Sequence, residues 1–243
     1  MSAVGLFPAG WAVRRFELDE LEALTAEAAP KLVEISKDFL REDISLKALA
    51  AMLDRLRAAC SPTVAFAGTT DLVGCAGWPW TRYREYLAVQ IAQARFLGCS
   101  LFRVFVGRRS ENVDEASVVE RLEDLCADLA PLTACIEIHG GIECEDHVLH
   151  TLLRDTSAEV LVDIERCRAA GATESLLRTV PLDRVAYFHQ RNLPQVWTEH
   201  PASLEDEQRW HLLAPDASYL WEPKTVDEPR RIRELFGEYR RSH

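Results

Sequence analysis

The sequence has no long apolar run, no excess of positive charge and no paired cysteines. No stretch approaches the roughly 18 apolar residues of a membrane-spanning helix, and the first residues lack the basic start and apolar core of a secretory signal. The formal net charge is -11 at pH 7, which disfavours generic binding to nucleic acid or to an anionic membrane. We therefore expect a cytoplasmic protein whose partner is a small molecule.

The seven cysteines are scattered along the chain, and no two form a C-x-x-C pair. This pattern disfavours a disulfide framework and a thiolate zinc site, so we expect reduced thiols that pack as small core residues. A G-x-G-x-x-G motif and a Gly/Ser/Pro-rich linker are also missing. A dinucleotide-binding fold therefore has no support, and one domain over residues 1–243 is the simplest prediction.

Short apolar segments alternate with longer amphipathic ones along the whole chain. Eight segments have the length and composition of strands: 3–7, 31–36, 63–68, 101–107, 133–140, 158–164, 184–189 and 218–223. Helical patterns fall between them: 18–29, 45–60, 82–98, 115–130, 146–155, 174–179, 204–213 and 228–241. Alternation of this kind implies parallel pairing, and eight units in about 250 residues favour a closed α/β barrel, the (β/α)8 TIM barrel.

A polar residue ends each of the last four predicted strands: Glu137, Asp163, His189 and Glu222. In a (β/α)8 barrel the carboxyl ends of the strands form the active site, so we expect these side chains to converge. Three carboxylates this close disfavour ionisation unless a cation compensates. Oxygen ligands with one imidazole suit manganese, magnesium or cobalt, with zinc as an alternative. Any one of these carboxylates is equally explained as a helix cap or a solvated loop residue, so the metal prediction depends on the set.

Other residues near the predicted mouth are candidates for substrate binding. Arg108, Arg166 and Arg191 follow strands, and guanidinium groups suit a carboxylate or phosphate, so an anionic substrate is one expectation. The alternative is that these arginines pair with neighbouring acids. His139 lies two residues after Glu137 on the same side of the strand, where it is expected to contact either Glu137 or the substrate.

Aromatic residues are the remaining candidates at the mouth. Trp11 and Trp78 follow predicted strands, where they would form an apolar wall beside the substrate, with ordinary loop packing as the alternative. No apolar patch in the sequence marks an interface, although barrels of this size often pair, so a homodimer is a further expectation.

Five segments resemble, in order and spacing, the xylose isomerase-like TIM-barrel superfamily of sugar phosphate isomerases and epimerases: ARFLGCSLFRVFVG, CIEIHGG, LVDIERC, AYFHQRN and YLWEPK. The resemblance implies a metal held by the Glu, Asp, His and Glu of the last four strands. It also implies that Glu137 and Glu222 act as the acid/base pair, as in the ketose epimerase branch. The sequence departs from the superfamily at Arg166, where a histidine is common, and at 190–192, where x-Lys-Asp is common.

The resemblance and the four polar residues predict a metal-dependent isomerase or epimerase of a sugar-like hydroxy-carbonyl compound. The reaction would pass through an enediolate, the intermediate left when the proton beside a carbonyl is removed. The same intermediate supports loss of a hydroxyl group, so a metal-dependent dehydratase is an alternative. A barrel that binds a small ligand without catalysis is a second alternative.

Overall fold

The computed structural model describes residues 17–28, 30–36, 44–109, 114–193, 195–225 and 228–242. These residues contain seven strands: β1 (Leu32–Ser36), β2 (Thr63–Ala67), β3 (Leu101–Val104), β4 (Thr133–Ile138), β5 (Glu159–Asp163), β6 (Val185–Gln190) and β7 (Tyr219–Trp221). They also contain the helices α1 (Leu18–Ala28), α2 (Leu46–Cys60), α3 (Trp80–Phe96), α4 (Glu115–Leu129), α5 (Asp146–Asp155), α6 (Ile164–Ala169), α7 (Thr173–Thr179), α8 (Leu204–Leu213) and α9 (Pro229–Ser242).

The seven strands form one parallel sheet in the order of the chain, from β1 to β7. The two edge strands approach each other, with Cα atoms of β1 and β7 within 8 Å, so the sheet curls into a nearly closed barrel. These strands are the second to eighth of the eight predicted from the sequence. The first predicted strand, 3–7, lies outside the described residues. The predicted α/β barrel fold is confirmed.

The helices cover the outside of the barrel because each presents an apolar stripe to it. Helix α2 shows the pattern, with buried residues three or four positions apart: Leu49, Met52, Leu53 and Leu56. It begins where the Ser45 hydroxyl accepts the backbone N–H of Ala48 at 3.1 Å, which satisfies one of the free donors of the first turn. Among the described residues, no helix is both long and apolar enough to cross a bilayer.

Two local differences from the sequence prediction lie at the carboxyl ends of the strands. Strand β3 ends at Val104, because the N–H of Phe105 donates to the Thr70 hydroxyl at 2.5 Å instead of continuing a strand ladder. Helix α6 begins directly after β5 and was not predicted. Asp163 starts it, since its Oδ1 accepts the N–H of Arg166 at 2.9 Å. Asp163 therefore has the helix-capping contact that was its alternative interpretation.

Candidate active site

The four predicted ligands lie together at the carboxyl end of the barrel. Strands β4, β5 and β6 bring Glu137, Asp163 and His189 into the interior, where they are 2%, 1% and 0% exposed. His189 Nδ1 lies 3.7 Å from Glu137 Oε1 and 3.9 Å from Glu222 Oε2. One ligand atom each from Asp163, His189 and Glu222 lies within 4.8 Å of the others. The backbone thus positions one imidazole among three carboxylates, as the strand ends predict.

A fourth carboxylate, which the sequence analysis did not identify, lies on the other side of His189. Glu34 is in the middle of β1 and fully buried. Its Oε2 accepts the Tyr187 hydroxyl at 2.7 Å and lies 3.1 Å from His189 Nε2. The signal for Glu34 was present in the segment KLVEIS, because a carboxylate inside an otherwise apolar strand is buried only with partners.

Two arginines neutralise part of this charge, and each bridges two of these four carboxylates. Arg191 is 1% exposed, and it donates from Nη2 to Asp163 Oδ2 at 2.7 Å and from Nη1 to Glu222 Oε2. On the other side, Arg103 donates from Nη1 to Glu34 at 3.0 Å, and its Nε lies 3.2 Å from Glu137 Oε2.

The charge balance of the cluster differs from the sequence expectation. The sequence argued that crowded carboxylates need an external cation, whereas two internal guanidiniums supply part of the compensation. With all four carboxylates ionised and the imidazole neutral, the two guanidiniums leave an excess of two negative charges among these groups.

The buried carboxylates have different ionisation properties. Burial alone would raise the pKa of Glu34, but the charges of Arg103 and His189 and the hydrogen bonds to its oxygens lower it to about 2. Burial raises the pKa of Glu137, and the neighbouring Arg103 only partly opposes this effect. The cluster therefore contains one firmly ionised carboxylate and one that accepts a proton more readily.

A cavity of about 470 Å³ opens beside the cluster, between the loops that follow β3, β4 and β5. Arg108, His139 and Arg166 line it, and a ring nitrogen of His139 lies within 4.8 Å of carboxylate oxygens of Glu137 and Asp163. Burial lowers the pKa of His139 to about 4, so its imidazole is neutral at pH 7. The cavity therefore adjoins the buried charges through His139.

The charges that line this cavity are mostly positive. Of the described residues around it, only Glu143 carries a carboxylate, and that side chain accepts the backbone N–H groups of His139 at 3.0 Å and Gly141 at 2.7 Å. Arg166 Nε is buried without a hydrogen bond and lies 3.8 Å from Glu165 Oε2, a neighbouring acid of the kind that the sequence analysis gave as the alternative partner. The cavity thus presents two guanidiniums and a carboxylate that is already occupied by backbone donors.

Lys224, another residue that the sequence analysis missed, lies close to these arginines. Its Nζ is 3.8 Å from Glu165 Oε2. Burial lowers its pKa, and the charges of Arg191 and Arg166 lower it further. Its position two residues after Glu222 was the only sequence signal, because the loop that brings it here has no regular pattern.

The other three residues predicted to contact substrate, Trp78, Trp11 and Arg191, are not among the described residues that line the cavity. The Trp78 ring packs edge-on against Tyr86 at 5.9 Å and lies 4.7 Å from the guanidinium carbon of Arg82. It is absent from the described cavity lining. Trp11 lies outside the described residues. Arg191 is in the charged centre itself, where Asp163 and Glu222 occupy its donors.

The residues of the centre fit a divalent metal. His189 Nδ1 is buried and has no hydrogen-bond partner, although buried polar atoms normally have one. It lies 3.7 Å from Glu137 Oε1 and 3.9 Å from Glu222 Oε2, so a cation bound between the imidazole and these carboxylates would be its missing partner. Glu137, Asp163, His189 and Glu222 together offer three carboxylates and one imidazole, a donor set that suits borderline and hard divalent ions.

Known structures share this fold over nearly the whole chain. A xylose isomerase domain-containing protein from Salmonella typhimurium LT2 matches with a TM-score of 0.79 at 10% identity, covering 100% of this chain and 98% of that one. The probable 3-DHS dehydratase AsbF from Bacillus anthracis matches at 0.69 and 12% identity, covering 94% and 95%. The IolI protein, solved with a zinc atom, matches at 0.68 and 15% identity, covering 95% and 93%.

Structures of sugar 3-epimerases and an epimerase-like protein also match, with TM-scores of 0.61 to 0.66. No protein-family model and no curated protein sequence matches the chain. At these sequence identities the similarity shows the fold. The chain has the xylose isomerase-like TIM-barrel fold, as the resemblance of its strand segments predicted.

Proposed function

We propose that this protein is a divalent-metal-dependent isomerase or epimerase of a sugar or sugar-like hydroxy-carbonyl compound, and that residues 1–243 form its single catalytic domain. The observation that supports this most is the buried His189 Nδ1, which has no hydrogen-bond partner and lies near carboxylate oxygens of Glu137 and Glu222, with Asp163 beside them. Sugar epimerases of the same fold are consistent with the proposal. The metal is manganese, magnesium or cobalt, with zinc as the alternative.

The proposed chemistry is proton transfer next to a carbonyl group. A bound divalent ion would polarise the carbonyl and stabilise the enediolate that forms on proton removal. Glu137 and Glu222 place oxygens 3.7 Å and 3.9 Å from His189 Nδ1, so both carboxylates lie beside the proposed metal position and are candidates for the acid/base pair. Return of the proton to the same carbon gives epimerisation, and return to the neighbouring carbon gives isomerisation.

The different surroundings of the two glutamates suit different roles in this reaction. Burial raises the pKa of Glu137, which suits the group that holds and returns a proton. Arg191 donates directly to Glu222, which suits a group that begins the reaction as a carboxylate. We assign Glu222 to proton removal and Glu137 to proton return.

We propose further that the substrate carries an anionic group, held in the cavity by Arg108 and Arg166. The two guanidiniums line one cavity, and its carboxylate, Glu143, is occupied by backbone N–H groups. Guanidinium groups bind carboxylate and phosphate with paired hydrogen bonds. His139 lies between this cavity and the buried centre, where it would contact the hydroxyl groups of the substrate.

Metal analysis tests the centre. Protein purified without chelator should contain about one divalent ion per chain, and Asp163→Asn and His189→Gln should lose it. The matched control is Glu145→Gln, since Glu115, Glu145 and His147 form an exposed group with a similar arrangement of possible ligands. Retention of the metal by Asp163→Asn and His189→Gln, with loss in the control, would place the metal at the surface instead.

Solvent deuterium exchange tests the reaction. Ketoses and keto acids incubated with the loaded enzyme should gain deuterium next to the carbonyl, and Glu222→Gln should abolish the exchange. Loss of water from the substrate would instead favour a metal-dependent dehydratase, and one structure of the same fold is a probable 3-DHS dehydratase. Absence of metal and of exchange in the wild type would favour the non-catalytic ligand-binding barrel. Homodimer formation stays a prediction, and light scattering of the purified protein would test it.

A further inference from the structure

Glu34 accepts hydrogen bonds at both of its carboxylate oxygens. Arg103 donates to Oε1 at 3.0 Å, and a guanidinium has no acceptor. The Tyr187 hydroxyl donates to Oε2 at 2.7 Å. His189 Nε2 lies 3.1 Å from the same Oε2 and is fully buried. A nitrogen so close to an ionised carboxylate must carry a proton, because two lone pairs facing each other would repel.

We infer that Glu34 is a positioning residue that fixes His189 as the Nε2–H tautomer and directs its Nδ1 lone pair towards Glu137 and Glu222. In neutral imidazole only one nitrogen carries hydrogen, so the bond made by one nitrogen decides the state of the other. Nδ1 has no hydrogen-bond partner, and it faces carboxylate oxygens at 3.7 Å and 3.9 Å.

The role of Glu34 extends to metal binding if the proposed function is correct. A metal-binding histidine normally donates its other N–H to a carboxylate or carbonyl, which fixes its orientation and raises its basicity. Glu34 is placed to do this from β1, and it is not itself one of the proposed metal ligands. The affinity consequence rests on the proposed function, whereas the tautomer does not.

Glu34→Gln makes the inference testable, because an amide has one accepting and one donating end. Arg103 can only donate, so the amide oxygen should turn towards it. The amide NH2 then faces Tyr187 and His189 Nε2, and the imidazole must accept there. The substitution should therefore invert the tautomer and place hydrogen on Nδ1, the atom that faces Glu137 and Glu222.

The experiment reads the tautomer by histidine side-chain ¹⁵N NMR on metal-free protein, at a pH where the imidazole is neutral. The signals of His189 are assigned by their absence in His189→Gln. The wild type should show hydrogen on Nε2, and Glu34→Gln should show it mainly on Nδ1. Tyr187→Phe is the matched control, since it removes one hydrogen bond to Glu34 but leaves the carboxylate, and it should keep the wild-type tautomer.

Manganese titration of the same three proteins gives the second readout. Affinity should fall about 10- to 100-fold in Glu34→Gln and stay within about threefold of wild type in Tyr187→Phe. Hydrogen on Nδ1 in the wild type, or on Nε2 in folded Glu34→Gln, would overturn the inference. The wild-type spectrum alone can overturn the inference, even if the Glu34→Gln variant does not fold. Inversion of the tautomer without metal binding in any of the proteins would support the inference and refute the proposed function.

Discussion

Two buried carboxylates, Glu34 in the barrel centre and Glu207 on helix α8, differ in the charges that surround them. Glu34 is fully buried and Glu207 is 2% exposed. Burial by itself would raise the pKa of both carboxyl groups. The pKa of Glu34 nevertheless falls to about 2, because Arg103 and other donors surround it. The pKa of Glu207 rises to about 7, since its partners are the backbone N–H of Arg191 at 3.0 Å and the hydroxyl of Ser203 at 3.3 Å.

The difference shows how the barrel centre keeps buried charges. Burial alone favours a neutral carboxyl group, as at Glu207, which holds the β6–α8 loop through neutral donors. The Arg103 guanidinium and the Tyr187 hydroxyl stabilise the charge of Glu34 inside the barrel. An ionised, ordered environment of this kind is what a metal ion or a developing enediolate requires.

Removal of the Arg103 guanidinium should have the largest effect on this comparison. Arg103→Met leaves Glu34 and Glu137 buried without their guanidinium, and we expect a loss of about 3–5 kcal/mol in the free energy of unfolding. The loss should be smaller at pH 5 than at pH 8, because carboxyl groups without a cation take up protons more readily. Urea unfolding of metal-free protein measures it, and a loss below about 1 kcal/mol would show that the pairing is not needed.

Glu207→Gln should have an intermediate effect that depends on pH. Between pH 4.5 and pH 7 the folded state binds more protons at Glu207 than the unfolded state, so the free energy of unfolding falls as pH rises through this range. The fall amounts to about 3 kcal/mol. Glu207→Gln keeps an accepting oxygen but does not ionise, so its stability should change less between pH 5 and pH 8.

The exposed neighbour Glu205 provides the control for that measurement. Glu205→Gln on the same helix should follow the pH profile of the wild type. Identical profiles for wild type and Glu207→Gln would contradict the raised pKa of Glu207.

The smallest effect is expected from an arginine that bridges two carboxylates at the surface. Arg109 donates to Glu145 at 2.6 Å and to Glu115 at 2.7 Å, but its side chain is 44% exposed. Water and salt screen such pairs. Arg109→Met should shift the urea midpoint by no more than about a fifth of the Arg103→Met shift. Equal shifts in the two variants would show that burial does not decide the strength of these bridges.

Most of the fold was predictable because it depends on local patterns. Seven of the eight predicted strands are present among the described residues, and apolar residues at helical spacing predicted their covering helices. Helix α6 was missed because the six residues IERCRA are too short for a periodic pattern. Asp163, which was identified as a ligand candidate with a helix cap as the alternative, starts that helix.

The candidate site was predictable in part. Glu137, Asp163, His189 and Glu222 were found because each ends an apolar strand, and parallel strands end at one edge of a barrel. Glu34 was missed because it lies within a strand, where no strand-end rule applies. Arg191 was placed at the mouth, whereas the structure turns it inward between Asp163 and Glu222, an orientation that no spacing encodes.

The sequence by itself determined the order of strands and helices and which polar residues end the strands, because both follow from patterns a few residues long. Tertiary structure alone decided which charges meet. Glu34 and His189 are 155 positions apart, yet they are 3.1 Å from each other across the barrel. The distance between such groups depends on how the sheet curls, and their ionisation depends on the burial that results. The charge pattern of the centre is therefore a property of the nearly closed barrel.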